Sequence, residues 1–442
     1  MAYLRAKNET MKKTTIIGIA VFLCLVTACG WLDSGDVRFN SHRSMTLLPE
    51  KSGGGSSGDN ENSPDTAVFV TAVEFYGSYY WQRDTAGESE PFRICVYRNM
   101  EKILAVQGGP GTIVSYEPDM HRYIDGHLYT DFSSAGETVV GKDGRELFRF
   151  KGREMMCGFI VRDGKVYTLG QNRSGPGVTF RCDGETVFSD SDGYAIGGIT
   201  EQYRSGGGLH EDGGNIYFSY NVPQKGVTGK RASVYLVENG SSVELNPPAE
   251  IQNVSDVRVV EGTVYVCGNT VSRNSHVVLS AGKEVKQLQV GMGCQFSGSR
   301  ILWAGNEMYV KADCSMDQWQ NTCAVMWDMA KMAYGPSWTQ RIYGFYVDGG
   351  GGYASVGIDL QTGDTFVRSV RDDVSGAGCT LSGRYDMMSP GCAAMFGGNF
   401  YVGLTPHGKG MKPVLVKNGT PTELAINGFI SSVSVCVPNQ SK

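Results

Sequence analysis

The chain is poor in the residues from which active sites are usually assembled. Its six histidines (His42, His121, His127, His210, His276 and His407) are scattered, and none stands in a nucleophile or metal motif. The 12 cysteines include no Cys-x-x-Cys pair and the histidines no His-x-x-x-His pair, so a zinc site of the familiar spacing is excluded. Basic residues do not dominate: 40 Lys and Arg stand against 45 Asp and Glu, a balance of −5 that argues against general nucleic-acid binding. No long stretch beyond the N-terminal segment has a helical period. Gly206-Gly-Gly208 and Gly349–Gly352 are therefore not phosphate loops, since no helix follows to present its N-terminus. Asp190-Ser-Asp192-Gly193 has the look of a calcium loop but lacks its remaining ligands, and His210-Glu211-Asp212, close to glycines on both sides, reads as a turn. Neither a metal nor a cofactor is expected.

Glycine and tyrosine, by contrast, are plentiful, at 60 and 22 residues. They recur together as Gly77-Ser-Tyr-Tyr80, Gly126-His-Leu-Tyr129, Gly164-Lys-Val-Tyr167, Gly214-Asn-Ile-Tyr217, Gly262-Thr-Val-Tyr265, the degenerate Asn306-Glu-Met-Tyr309, Gly350-Gly-Gly-Tyr353 and Gly398-Asn-Phe-Tyr401. The tyrosines are spaced by 49, 38, 50, 48, 44, 44 and 48 residues, a regularity that marks a repeat architecture. About twenty residues after the tyrosine, several units carry a second turn: Asp143-Gly144, Asp183-Gly184, Asn239-Gly240, Ala281-Gly282 and Asn418-Gly419. Asn-Gly and Asp-Gly tolerate the positive φ of a two-residue hairpin, so each unit contains two hairpins and hence four strands.

Short runs rich in Val, Leu and Tyr flank these turns, as in Asp256–Val260, Thr263–Cys267, His276–Ser280 and Glu284–Val290. The fold class expected is all-β. A four-stranded antiparallel unit of this size cannot bury both faces alone, and its edges invite unwanted pairing; radial packing of units solves both problems. The expectation is a single β-propeller of eight blades, with seven as the alternative because Gly344–Cys379 matches poorly. The final run, Ile430–Val437, either adds a strand that joins the ends of the ring or replaces one strand of the first unit. The repeated tyrosines are expected to pack between blades.

Ahead of the repeats, Met11-Lys-Lys precedes the apolar run Ile16–Val26, which is too short to span a bilayer comfortably and has the form of an export signal beginning at Met11. The expected organisation is a signal peptide over 1–28, a flexible polar tether over 29–66 containing Lys51-Ser-Gly-Gly-Gly-Ser-Ser-Gly58, and a propeller over 67–442. Removing 1–28 takes away Arg5, Lys7, Lys12, Lys13 and Glu9, leaving 36 basic and 44 acidic residues, a balance of −8. A monomer is expected. Most cysteines, among them Cys95, Cys267 and Cys436 inside strands, are expected as small buried hydrophobes, while Cys314 and Cys323 bracket one loop and form a candidate disulfide.

In a propeller the tight Gly-x-x-Tyr turns share one face, and the longer connections between second and third strands lie on the other. The loops assigned to that face are 82–91, 170–177, 221–231, 269–275, 312–322 and 405–411. Trp81, Arg83, Arg173, Lys225, Trp319 and His407 belong to or flank them, and exposed aromatics with polar partners suit a glycan or peptide ligand.

Val26-Thr-Ala-Cys29 resembles the lipobox of bacterial lipoproteins, in which the cysteine receives diacylglycerol. With the tether and the blade pattern, clearest over 163–288 and 398–424, the chain resembles the exported β-propeller lipoproteins of Bacteroidota. The resemblance implies lipidation at Cys29, membrane attachment through it, and placement in the outer membrane. The segment after Cys29 lacks a dense acidic run, which favours the periplasmic face over the cell surface. It also implies candidate O-glycosylation at Thr66 and Thr85 within Asp-Thr-Ala. The function expected is a binding or scaffold module for a protein or glycan; the alternative is a glycan-active hydrolase or lyase with its site in the central funnel.

Overall fold

In the computed structural model the described residues are 46–48, 67–76, 91–108, 112–114, 121–134, 136–152, 154–172, 175–196, 208–224, 232–270, 276–289, 294–304, 307–316, 321–328, 340–347, 352–359, 361–371, 374–388, 390–396, 399–408 and 410–436. Through most of 288–353 only the backbone is described. Among these residues there is no α-helix, and none therefore long and apolar enough to cross a membrane.

The strands form eight antiparallel sheets in chain order. The third is the plainest: Glu154–Arg162, Lys165–Asn172, Val178–Cys182 and Glu185–Asp190 pair consecutively. First strands meet the first strands of neighbouring sheets, so each sheet stands as a paddle with its first strand inward. The protein is a β-propeller with eight blades, the sixth showing three strands among the described residues.

The ring is closed by the chain's end. Gly428–Cys436 pairs antiparallel with Ala67–Phe75 and is the innermost strand of the first blade, followed by Phe92–Arg98 and Glu101–Gln107. It also packs against Asn399–Pro406 of the eighth blade, where Thr405 Oγ1 accepts the Ile430 N–H at 3.1 Å. The terminal run thus replaces a strand instead of adding one. This corrects the reading of the first repeat copy: with its innermost strand supplied from the C-terminus, the first blade has no first hairpin turn, and Gly77–Tyr80 falls between the blade's second and third strands, outside the described residues. The other seven tyrosines all lie on second strands, as the repeat requires. At the outer edge of the first blade, Thr46–Leu48 adds a fifth strand against Ala105–Gln107.

The core lies between blades. Tyr129, Val140 and Phe150 of the second blade pack on Met156, Phe159 and Val166 of the third, and Leu169 and Phe180 of the third pack with Leu209, Phe218 and Val237 of the fourth. Fully burying side chains such as Phe180 and Phe218 stabilises by roughly 1.5–3 kcal/mol each. Tyr129 meets Phe159 across the blade boundary at 5.9 Å between ring centroids, as expected of the repeated tyrosine. Tyr217 adds a polar tether that the repeat does not announce: its hydroxyl lies 3.1 Å from Glu238 Oε1 on the neighbouring strand of its own blade.

Every innermost strand is broken near its middle. In blades one, three, five, six and seven a bulge interrupts the register, at Ser431, Cys157, Ser255, Ser297 and Tyr343. In blades two, four and eight the strand is split outright, into Thr112–Val114 and Arg122–Ile124, Tyr194–Ala195 and Leu209–Asp212, and Tyr385–Asp386 and Ala393–Phe396. A bulge bends a strand and increases its twist, which suits the strand nearest the axis.

The hairpin turns are type I′ in backbone shape, with positive φ at both central residues of Asp125-Gly126, Asp143-Gly144, Asp163-Gly164, Asp183-Gly184, Gly213-Gly214, Asn239-Gly240, Glu261-Gly262 and Asn418-Gly419. The first blade uses Asn99-Met100 at φ 50° and 70°, with Met100 packed against the hydrophobic core. Glycine in the outer turns has a second purpose, because the neighbouring blade's outermost strand lies against it. A Cβ on Gly184 would meet Phe148 Cβ at 2.8 Å, and one on Gly240 would meet Val187 Cγ1 at 2.5 Å.

Candidate functional site

The two faces of the ring differ. One carries the paired turns, and in five blades the described outer turn is tied to the second strand of its own blade. Asn99, Asp143, Asp183, Asn239 and Asn418 each accept, through Oδ1, the N–H of a residue early in the second strand: Val68, Leu128, Val166, Ile216 and Phe400, at 2.8–2.9 Å. The same five residues donate their own N–H to the carbonyl of that partner. This face is thus covered by hydrogen-bonded turns.

The connections between second and third strands lie on the other face. Several are shorter than the sequence suggests, because strands extend into them. Gly170–Asn172 and Asn221–Val222 are strand, and Ala312–Met316 with Asn321–Thr322 form a long hairpin that leaves 317–320 as the connection. In that hairpin Cys314 stands directly opposite Cys323. Trp81, Arg83, Arg173, Lys225 and Trp319, between second and third strands in sequence, lie outside the described residues, and Cys29, Thr66 and Thr85 lie outside them too.

His407 is the one expected ligand residue that the structure describes. It follows the second strand of the eighth blade, and its backbone N–H donates to Arg384 O at 2.9 Å. Its Nε2 pairs with Asp386 Oδ2, and Arg384 Nη2 lies 3.9 Å from the same oxygen. The His407 and Asp386 side chains are each 19% exposed and Arg384 is 51% exposed, so a half-sheltered His–carboxylate pair sits below an open guanidinium. Met411 lies over both walls: a Cβ on Gly383 or Gly408 would meet its Cε at 3.0 Å or its Sδ at 2.3 Å. Arg384 and Asp386 escape sequence reasoning because they stand more than twenty positions from His407 and meet it only through the pairing of Tyr385–Asp386 with Thr405–Pro406.

Other polar groups singled out in the sequence are structural. His210-Glu211-Asp212 lies on an innermost strand, not a turn; Glu211 pairs with Arg162 of the preceding blade, while His210 and Asp212 reach the next one. His210 Nε2 accepts the Val259 N–H at 2.9 Å, while Asp212 accepts from Glu261 and Gly262 at 2.8 and 2.9 Å. Burial, reinforced by nearby Arg258, lowers the His210 pKa to about 3. Asp256, almost fully buried, repeats the device one blade on by accepting the Ile301 N–H at 2.9 Å. Asp190 accepts the Asp192 N–H in a local turn, and no group of three or more His, Cys, Asp or Glu among the described residues is placed to hold a metal. Cys95, Cys157, Cys267 and Cys392 are buried, whereas Cys436, at the end of the closing strand, is exposed, against the expectation for a cysteine within a strand.

No protein-family model and no curated protein sequence matches the chain. Among solved structures it is similar to prolyl oligopeptidase B from Galerina marginata at 10% identity and a TM-score of 0.41, over 73% of this chain and 51% of that one. It is similar to the β-propeller domain of the Trilobed protease from Pyrococcus furiosus at 12% identity and a TM-score of 0.37, over 77% of this chain and 97% of that one. The alignment with Pyrococcus horikoshii acylaminoacyl peptidase covers 70% of this chain and 50% of the other, at 12% identity and a TM-score of 0.41. The chain thus spans about half the length of the two peptidases. Likeness at these identities concerns chain path, and no activity is carried over.

Proposed function

We propose that the protein is a lipid-anchored module of the cell envelope that binds a protein or glycan through the face opposite the paired turns. The anchor is Cys29, in the outer membrane with the periplasmic face favoured. The observation that carries the binding face is the asymmetry of the ring. On one face, described turns spend their polar groups on the second strands of their own blades, while the second-to-third connections at the other carry the His407–Asp386 pair and, in sequence, also include Trp81, Arg83, Arg173, Lys225 and Trp319. A rigid scaffold with variable connections on one side is the usual arrangement for recognition.

The test uses the full-length chain in detergent, on a glycan array and in a pull-down from envelope extract. Capture that is lost in Trp81→Ala or Trp319→Ala and kept in Lys283→Gln, on the turn face, supports the reading. Nothing above background in either assay refutes it, and turnover of a captured glycan moves the assignment to the glycan-active alternative. The anchor is tested separately: Cys29→Ala is expected to leave the detergent phase on phase partitioning, and persistence there overturns lipidation at this residue.

A further inference from the structure

Between Asn40 and Thr66 the only Leu, Ile, Val, Met, Phe, Tyr or Trp residues are Met45, Leu47 and Leu48, and Pro49, which has no N–H for a ladder, ends the run. That run is where the chain first meets the propeller. Thr46–Leu48 pairs antiparallel with Ala105–Gln107 on the outer edge of the first blade. Ala105 and Val106 are fully buried there, and no other outermost strand has two successive buried residues among the described ones. An edge that would otherwise offer free backbone groups is thus covered by the chain itself.

The register fixes a direction. Glu101–Gln107 runs from the turn Asn99-Met100 to the loop face, where Gln107 stands opposite Arg93 and its Oε1 accepts the Tyr76 hydroxyl at 2.9 Å. Thr46 is opposite Gln107 and Leu48 opposite Ala105, so the chain enters this edge from the loop-face end and leaves towards the paired turns. Ala67, by contrast, begins its strand at the turn face, one position before Val68, whose N–H Asn99 accepts. A tether that left the ring at Ala67 would depart from the turn face. One that leaves at Thr46 departs from the loop face.

Docking within one chain is geometrically easy. Along the register Leu48–Ala105–Cys95–Ala72, three strand spacings and a further five residues separate Leu48 from Ala67, about 20–25 Å. The 18 residues of 49–66 can reach roughly 60 Å. Docking also leaves 17 residues, 29–45, ahead of the first paired position instead of the 38 of 29–66, so the greatest reach from Cys29 falls from roughly 130 Å to roughly 60 Å.

We propose that Thr46–Leu48 is a strap that docks on the first blade of its own chain and puts the loop face, not the turn face, on the side of the bilayer, so that whatever the loop face binds is met next to the membrane. The orientation rests on the lipid-anchor reading above; the docking does not.

Two measurements on the full-length chain test it. In hydrogen exchange, Leu47→Pro is expected to speed exchange in Glu101–Gln107 at least tenfold and leave the other blades unchanged, which shows that the variant is folded, while Asn60→Pro in the returning link changes nothing. Unchanged exchange of Glu101–Gln107 in Leu47→Pro overturns the strap, and so does protection found only at concentrations where ultracentrifugation shows dimers, which would make the strap a second copy's. For orientation, a fluorescent amino acid is placed at Gln224 on the loop face or at Lys283 on the turn face, both exposed. The lipidated chain is then bound to phosphatidylethanolamine–phosphatidylglycerol vesicles carrying a headgroup-linked acceptor. Energy transfer is expected to be stronger from position 224 than from 283, and Leu47→Pro should abolish the difference. Equal transfer, or stronger transfer from 283, overturns the orientation. A chain that carries no lipid sinks the anchor reading and the orientation with it, whereas the exchange result still decides whether the strap docks.

Discussion

Asn239 holds Ile216 twice: its Oδ1 accepts the Ile216 N–H at 2.9 Å, and its own N–H donates to the Ile216 carbonyl at 2.9 Å. The pair joins the outer turn of the fourth blade to its inner hairpin. Removing the side chain while keeping freedom of φ, as in Asn239→Gly, leaves the Ile216 N–H without its partner and is expected to cost about 1 kcal/mol. Urea denaturation measures it, and an unchanged midpoint would mean that water substitutes for the side chain.

The fifth blade lacks this bond, because Gly282 occupies the corresponding turn position. Its φ of 57° is one that asparagine adopts, and a Cβ there meets nothing within 4 Å. Gly282→Asn is therefore expected to stabilise by about 0.5–1 kcal/mol through a new bond to the Val264 N–H. A destabilised variant would show that the turn does not bring the two groups together.

Gly184 and Gly126 have nearly the same backbone, φ 83° and 82°, but only Gly184 lies against a neighbouring blade. Alanine at either position incurs the strain of positive φ, on the order of 1 kcal/mol. Only at Gly184 does it also press on Phe148. Gly184→Ala should therefore lower the unfolding midpoint clearly more than Gly126→Ala, and equal losses would remove the contact between outermost strand and turn as a term in stability.

His210 is held neutral as an acceptor for the Val259 N–H, with a folded pKa of about 3 against an ordinary value of 6.5. The unfolded chain binds a proton at this residue between those values and the folded chain does not. Its contribution is therefore fully present above pH 6.5 and is lost as pH falls towards 3, by on the order of 1 kcal/mol per pH unit. His210→Gln, which keeps an acceptor but does not titrate, should flatten the fall in stability between pH 6 and 4. An unchanged slope would place the acid sensitivity elsewhere.

Cys314 and Cys323 face each other in an antiparallel pair, an arrangement within the span that a disulfide can bridge. If the chain is exported, mass spectrometry of non-reduced envelope protein is expected to recover the two cysteines in one linked peptide. Both recovered as alkylated thiols would overturn the pairing.

How far the fold was legible depends on the range of the interaction. Turn residues and apolar alternation act over a few positions, so Asp163-Gly164 with Tyr167, or Asn239-Gly240, could be read directly, and from their spacing the ring itself. Gly77–Tyr80 misled because it has the same composition without the same place, and only the C-terminal strand beside Ala67–Phe75 reveals this. His210 misled in the opposite direction: flanking glycines suggested a turn, whereas its backbone pairs with Tyr217 in a hairpin and its side chain reaches Val259, 49 positions away.

Local stereochemistry written along the chain was enough to specify hairpins, their repetition, and through burial of two-sided sheets the propeller. Assembly in space decided which end completes the first blade, which side chains bridge the blades, and that Arg384, Asp386 and His407 share one corner. The reason is physical: φ preferences and side-chain alternation are properties of neighbouring residues, whereas hydrogen bonds across blades and the gathering of charge at a site exist only once distant strands have been brought within a few ångströms.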